Sequence, residues 1–82
     1  MTNFRYVYIL QSCSNSSQIY TGQTENLEKR LKEHNARKVP HTSKFTPWFV
    51  RSATAFQNKE RAMAFERYLK SGSGRAFLKR HL

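Results

Sequence analysis

The hydrophobic pattern changes period several times along this chain, and each change marks an element. "FRYVYILQ" is a continuous aromatic and β-branched run, which predicts a buried strand over residues 4–11. Alternation puts Phe4, Tyr6, Tyr8 and Leu10 on one face and Val7 and Ile9 on the other. "SCSNSSQ" is a polar loop, and "IYTG" is a short second strand that pairs with the first as a hairpin. Thr24 is a candidate N-cap, Glu25 and Glu28 suit a first helical turn, and the helix runs from about Glu25 to Asn35. "ARKVPHTSKFTP" is a basic loop with two prolines, and "WFVRSATAF" is a third strand. Asn58 caps a second helix, "KERAMAFERYLKS", which Gly72 ends at the C′ position. Ser73 or Gly74 then starts a short basic helix, "RAFLKRHL". The order ββαβαα predicts a small α+β domain: a three-stranded antiparallel sheet flanked by helices. Neither a repeat nor a boundary interrupts residues 1–82, so a single domain is expected.

Charge narrows the partner. The 82 residues carry 15 Lys and Arg against five acids, all five of them Glu, for a formal +10. So lopsided a surface on a small domain points to an anionic partner, nucleic acid before any other. A small ribosome-associated basic protein is the competing explanation of the charge alone. The basic loop (Arg37, Lys38, Lys44) and the basic tail (Lys70, Arg75, Lys79, Arg80) are the expected phosphate contacts. Cys13 is the lone cysteine, so neither a disulfide framework nor a thiolate zinc site is expected. That suits a reducing, cytoplasmic setting. The N-terminal stretch lacks a long apolar core and contains Arg5, which argues against a signal peptide. No run is long enough to span a membrane. A monomer is the expected state.

Three side chains sit where a simple amphipathic pattern would not put them. Leu27 and Leu31 mark the buried stripe of the first helix. At about 100° per residue, Arg30 falls about 60° from Leu27 and His34 about 20°, both on the rim of the core face. Lys29, Lys32 and Glu33 take the solvent side. Taken singly, the Arg suits a snorkelling side chain and the His a satisfied, half-buried one. On the second helix Ala62, Phe65 and Leu69 form the stripe, and Glu66 lies about 40° from Ala62. A carboxylate there needs a partner. Lys70, four residues on, is one; a hard cation such as Mg²⁺ is another. Two-metal phosphodiester chemistry uses several carboxylates. A chain with no Asp and one well-placed Glu argues against it. A single metal with a base that is not a carboxylate stays open.

Together these residues resemble the GIY-YIG endonuclease family. The paired motifs stand here as "YVY" (Tyr6, Val7, Tyr8) and "YTG" (Tyr20, Thr21, Gly22). Arg30 matches the Arg of the following helix. His34 matches a position that is His in homing endonucleases and Tyr in the excision-repair branch. Glu66 matches the single metal-binding Glu. "HTSKFTPWFV" and the Glu-x-x-x-Lys before the tail are similar to a small stand-alone branch, related to the N-terminal nuclease domain of the UvrC excision-repair subunit. The resemblance implies a DNA endonuclease dependent on one Mg²⁺, or Mn²⁺ in its place, with a link to DNA repair. Tyr20 would act as general base, Tyr8 would orient the nucleophile, and Arg30 would bind the scissile phosphate. His34 would join the catalytic set, Glu66 would hold the metal, and Gly22 would allow a tight strand-to-helix turn. The chain departs from the pattern at Tyr6 (for Gly), Thr21 (for Ile) and Gln23 (for Lys in some members), and no Asn follows Glu66. Those departures keep a second reading open: a nucleic-acid-binding module of the same fold with little or no turnover.

Overall fold

The structure, a computed structural model, describes residues 3–82. Its elements are β1 (Arg5–Ser12), β2 (Ile19–Thr24), α1 (Leu27–Asn35), β3 (Trp48–Phe56), α2 (Lys59–Leu69) and α3 (Gly72–His81). A short 3₁₀ turn, Ser43–Phe45, lies between α1 and β3. The ββαβαα order and the three-stranded antiparallel sheet match the sequence expectation. The strands lie in the order β2-β1-β3, so β1 is central and β2 is an edge. That explains the unbroken apolar run of β1, since both of its faces are covered.

The two faces of β1 feed two cores. Val7 and Ile9 pack with Ala62, Leu69 and Leu78 of α2 and α3. Tyr8 and Leu10 pack with Trp48, and against Leu27 and Leu31 of α1. Fully burying a side chain of the Val, Ile or Leu kind contributes about 1.5–3 kcal/mol. Val7, Ile9 and Leu69 are each about 1% exposed, so the sheet is clamped between its helices.

Three expectations change at element ends. α1 is capped by Asn26, whose side chain accepts from Lys29 N–H at 3.0 Å. Thr24 instead closes β2, and its hydroxyl accepts from Asn26 N–H at 3.2 Å. Asn58 caps α2 as expected, accepting from Arg61 N–H at 3.1 Å. Gly72 does not stop that helix. It opens α3, and no glycine among the described residues has positive φ. Ser71 caps α3 by accepting from Gly74 N–H at 3.1 Å and donates back to the Tyr68 carbonyl. The glycine that matters is Gly74. A Cβ there would strike the Tyr68 carbonyl and stand 2.7 Å from Leu69 Cα.

The connection from α1 to β3 is basic in composition but is pulled inward at its polar residues. Thr42 is fully buried. Trp48 donates from Nε1 to the Thr42 carbonyl at 2.8 Å. Asn35 clamps the Trp48 backbone through both ends of its amide, at 3.0 and 2.6 Å.

Candidate active site

Tyr8 stands opposite Gly22 in the β1–β2 register. A Cβ on Gly22 would come within 2.6 Å of the Tyr8 hydroxyl oxygen and 3.0 Å of the Tyr20 ring. Gly22 is therefore needed for space rather than for the tight turn expected of it: it lies within β2, and the Tyr8 ring crosses over it. Tyr20 likewise sits inside β2 rather than at its end. Its ring lies 6.3 Å from that of Tyr8 and 5.0 Å from His34, centroid to centroid.

A chain of buried hydrogen bonds fixes Tyr8. The Tyr8 hydroxyl and His34 Nε2 are 2.9 Å apart, and His34 Nδ1 and the Thr42 hydroxyl are 2.7 Å apart. Thr42 donates its one hydroxyl proton to the Val39 carbonyl at 3.3 Å. In the tautomer that this donation selects, its oxygen accepts from His34 Nδ1–H and Nε2 accepts from Tyr8. Tyr8 thus points its proton inward and turns its lone pairs toward Arg30. His34 is wholly buried and acts on the site through Tyr8.

The electrostatics agree with this direction. Burial pushes the Tyr8 phenol above its ordinary value, and the neighbouring Arg30 guanidinium draws it partly back. Burial, with Arg30 in second place, holds His34 below the usual histidine range, so its imidazole is neutral. Glu33 binds Arg30 at 2.9 Å and raises the guanidinium further; in return Arg30 holds Glu33 below the usual carboxylate range.

Glu66 arrives from the other face of the sheet. Gln23 Nε2 donates to one carboxylate oxygen at 2.6 Å, and Lys70 Nζ donates to the other at 2.9 Å. Arg5 Nε donates to the Gln23 amide oxygen at 2.8 Å, and Arg5 Nη1 pairs with Glu25 at 3.3 Å. Among the described residues no cluster of three His, Cys, Asp or Glu side chains could cage a metal. One carboxylate fits a hard dication that keeps most of its waters and completes its shell with phosphate oxygens. Glu66 is the residue that would hold it.

Two grooves flank this centre along β2. One, of about 420 Å³, is lined by Arg5, Gln23, Lys29 and Arg30 together with Glu25 and Glu33. The other, of about 740 Å³, lies between Ser16–Thr21, the end of α2 and α3, reaches Arg51 of β3, and is lined by the cations Arg51, Lys70, Arg75 and Lys79. Tyr8 and Tyr20 meet over Gly22, Arg30 reaches the Tyr8 hydroxyl, and Glu66 meets Gln23, the next residue of β2; Tyr8 and Glu66 line neither groove. Lys70, Arg75 and Lys79 are brought beside them. Arg37, Lys38, Lys44 and Arg80 line neither groove. Arg51 was invisible to the periodicity. The register slips between Ile9 and Leu10, whose partners on β3 are Ser52 and Val50, so Arg51 is the extra residue of a β-bulge. Bulges re-aim side chains, and this one turns Arg51 toward α3.

The comparisons with known proteins converge on one family. Residues 4–80 match the model of the GIY-YIG catalytic domain. The chain is 43% identical over 70 residues to a UPF0213 protein of Bacillus licheniformis, covering 84% of this chain and 70% of that one. It is 36% identical over 72 residues to a UPF0213 protein of Haloquadratum walsbyi, covering 87% and 79%. A UPF0213 protein of Clostridium perfringens is 42% identical over 66 residues, covering 79% and 69%. GIY-YIG domains are nuclease domains that act on nucleic acid with a divalent metal. No helix among the described residues is long and apolar enough to cross a membrane. With its motifs gathered around Gly22 and the model matched from residue 4 to residue 80, the chain belongs to the GIY-YIG catalytic-domain family.

Proposed function

We propose that this protein is a DNA endonuclease that hydrolyses phosphodiester bonds with one Mg²⁺, or Mn²⁺ in its place. The observation that carries the reading is the convergence at Gly22. Tyr8, Tyr20 and Arg30 come from one face of the sheet, and Glu66 comes from the other, around a single strand edge.

The two tyrosines divide the work because their protons are differently placed. Tyr8 keeps its proton and points it at neutral His34 in a hydrogen bond, so the lone pairs of its oxygen are left to position Arg30 and an incoming water. The Tyr20 hydroxyl has no hydrogen-bond partner among the described residues; as general base it would first give its own proton to solvent, and its phenolate oxygen would then take one from that water. Arg30 binds the scissile phosphate and stabilises the charge that grows on it. Glu66 would hold the dication, which when bound would supply stabilisation of the leaving oxygen. For that, Lys70 must yield its place on the carboxylate.

That same ion pair favours the second reading, a binding module without turnover, because both Glu66 oxygens are already engaged. Glu66→Gln separates the two. The amide keeps the shape but not the charge, so metal-dependent nicking of supercoiled plasmid should fall by at least about 100-fold. The fold should lose no more than about 1 kcal/mol, the scale of a rim ion pair. Nicking at the wild-type rate by the variant would remove the metal from Glu66. Wild-type protein that cuts no DNA form with Mg²⁺ or Mn²⁺ would leave the binding module.

A further inference from the structure

We infer that the groove between β2, the end of α2 and α3, which reaches across the sheet to Arg51 of β3, is a subsite for the nucleic-acid backbone on one side of the bond to be cut, with Arg51, Arg75 and Lys79 as its phosphate ligands. This rests on the nuclease reading and adds a direction to it. Gly22 divides β2 in two. Residues before it line the 740 Å³ groove, and Gln23, Thr24 and their neighbours line the 420 Å³ one.

The two grooves differ in free charge. In the smaller one, Arg5 is paired with Glu25 and Arg30 with Glu33. The larger one is lined by four cations and by no Asp or Glu side chain among the described residues; Lys70 is paired with Glu66, and Arg51 Nε with a main-chain oxygen of Leu82. A single small anion would engage one or two of these cations. Four spread along one continuous groove suit a chain of phosphates. Arg51 is brought there by the β-bulge and spends one donor, Nε, on a main-chain oxygen of Leu82 at 3.1 Å. Its terminal nitrogens stay available for bidentate contact with a phosphate. Ile19, Leu69 and Leu78 floor the groove. Neutral contact below and cations at the rim would hold the backbone without reading its sequence.

The test compares two triple variants of equal charge change, each checked for fold by circular dichroism and melting. One is Arg51→Gln with Arg75→Gln and Lys79→Gln. The other, on the exposed outer side of α2, is Lys59→Gln with Arg61→Gln and Arg67→Gln. Binding of a fluorescein-labelled DNA oligonucleotide is measured by anisotropy at several salt concentrations, without divalent metal. The groove variant should lose about 2 units of the slope of log affinity against log salt, from about 0.7–0.9 per phosphate. The α2 variant should lose less than about 0.5 on the same scale. Equal losses would overturn the groove. With wild-type protein and metal, methylphosphonate linkages are then placed singly around the cut. Interference confined to one side is expected, and symmetric interference would overturn the direction. If wild-type protein cuts nothing, the nuclease reading falls and the salt slopes still decide the groove.

Discussion

The two faces of the sheet hold their functional groups by different means. Toward α1, Tyr8, His34 and Thr42 are fully buried and joined in one chain of hydrogen bonds. Toward α2 and α3 the buried residues are apolar, and the charged groups stand at the rim: the Glu66 side chain is 18% exposed and that of Lys70 54%. Leaving a buried polar group unpaired costs about 1–3 kcal/mol. A rim ion pair contributes about 0–1 kcal/mol. The first face therefore has one arrangement, and the second can exchange partners at little cost. Such a division suits a site in which the groups that aim the reaction stay fixed while the carboxylate waits for its cation.

Breaking the buried chain should have the largest effect. His34→Phe removes the acceptor for Tyr8 and the donor to Thr42. It should destabilise by about 2–3 kcal/mol. For a domain of this size that lowers the melting temperature by roughly 10–20 °C. Tyr8→Phe strands His34 Nε2 and should cost about 1–3 kcal/mol by the same logic. The double variant strands fewer groups than the two single variants together. Its loss should be smaller than their sum by about 1 kcal/mol or more. Strict additivity in denaturant melts would show that the chain is not a unit.

Acid should reach the buried and the exposed ionisable groups of α1 in different pH windows. The folded His34 titrates below the usual value, so an unfolded chain takes up its proton first, near pH 6.5. Stability is full above that pH and falls as pH drops toward the lower folded value, by at most about 1.4 kcal/mol per pH unit. Glu33, held low by Arg30, acts the same way only below the usual carboxylate value of about 4.3. Wild-type melts should thus weaken as pH falls below about 6.5, and again below about pH 4.3. The upper step should vanish in His34→Phe while the lower one stays. An unchanged upper step in that variant would move it to another group.

What could be read in the sequence was whatever has a period. The split of β1 into two faces, the rim positions of Arg30 and Glu66, and the order of elements all follow from spacing. The rest depends on close approach between distant segments. Gly22 is a gap for the Tyr8 ring, which no local pattern shows, and Gly74 is a gap for the end of α2. Thr42 sits in a stretch that composition marks as a basic loop, yet it sets the tautomer of His34. Gln23 departs from the family's Lys and meets Glu66 across 43 positions of sequence. Arg51 is out of phase because a bulge has no period. The basic residues of the α1–β3 connection looked equivalent to those of the tail, and only packing separates them.

The smallest expected effect lies at that connection, far from both grooves. Arg37 follows the C-cap of α1 with φ 62°, in the left-handed region. Arg37 N–H donates to the His34 carbonyl and Lys38 N–H to the Glu33 carbonyl, each at 3.1 Å. This is the helix-ending motif in which glycine is preferred at the position Arg37 holds. A side chain there costs about 1 kcal/mol. Glycine removes that cost but loosens the unfolded chain, and the bond from Arg37 Nε to the Thr46 hydroxyl at 3.2 Å is lost. Arg37→Gly should therefore gain up to about 1 kcal/mol. Arg37→Ala keeps the strain and loses the same side chain, so it separates backbone from charge. Glycine should exceed alanine by about 1 kcal/mol in stability. Both variants should change the salt slope of DNA binding by less than one phosphate's share of about 0.9. Equal stability of the two would show that the turn relaxes without glycine. A loss of slope as large as that of the groove triple would return the connection to the DNA-binding surface.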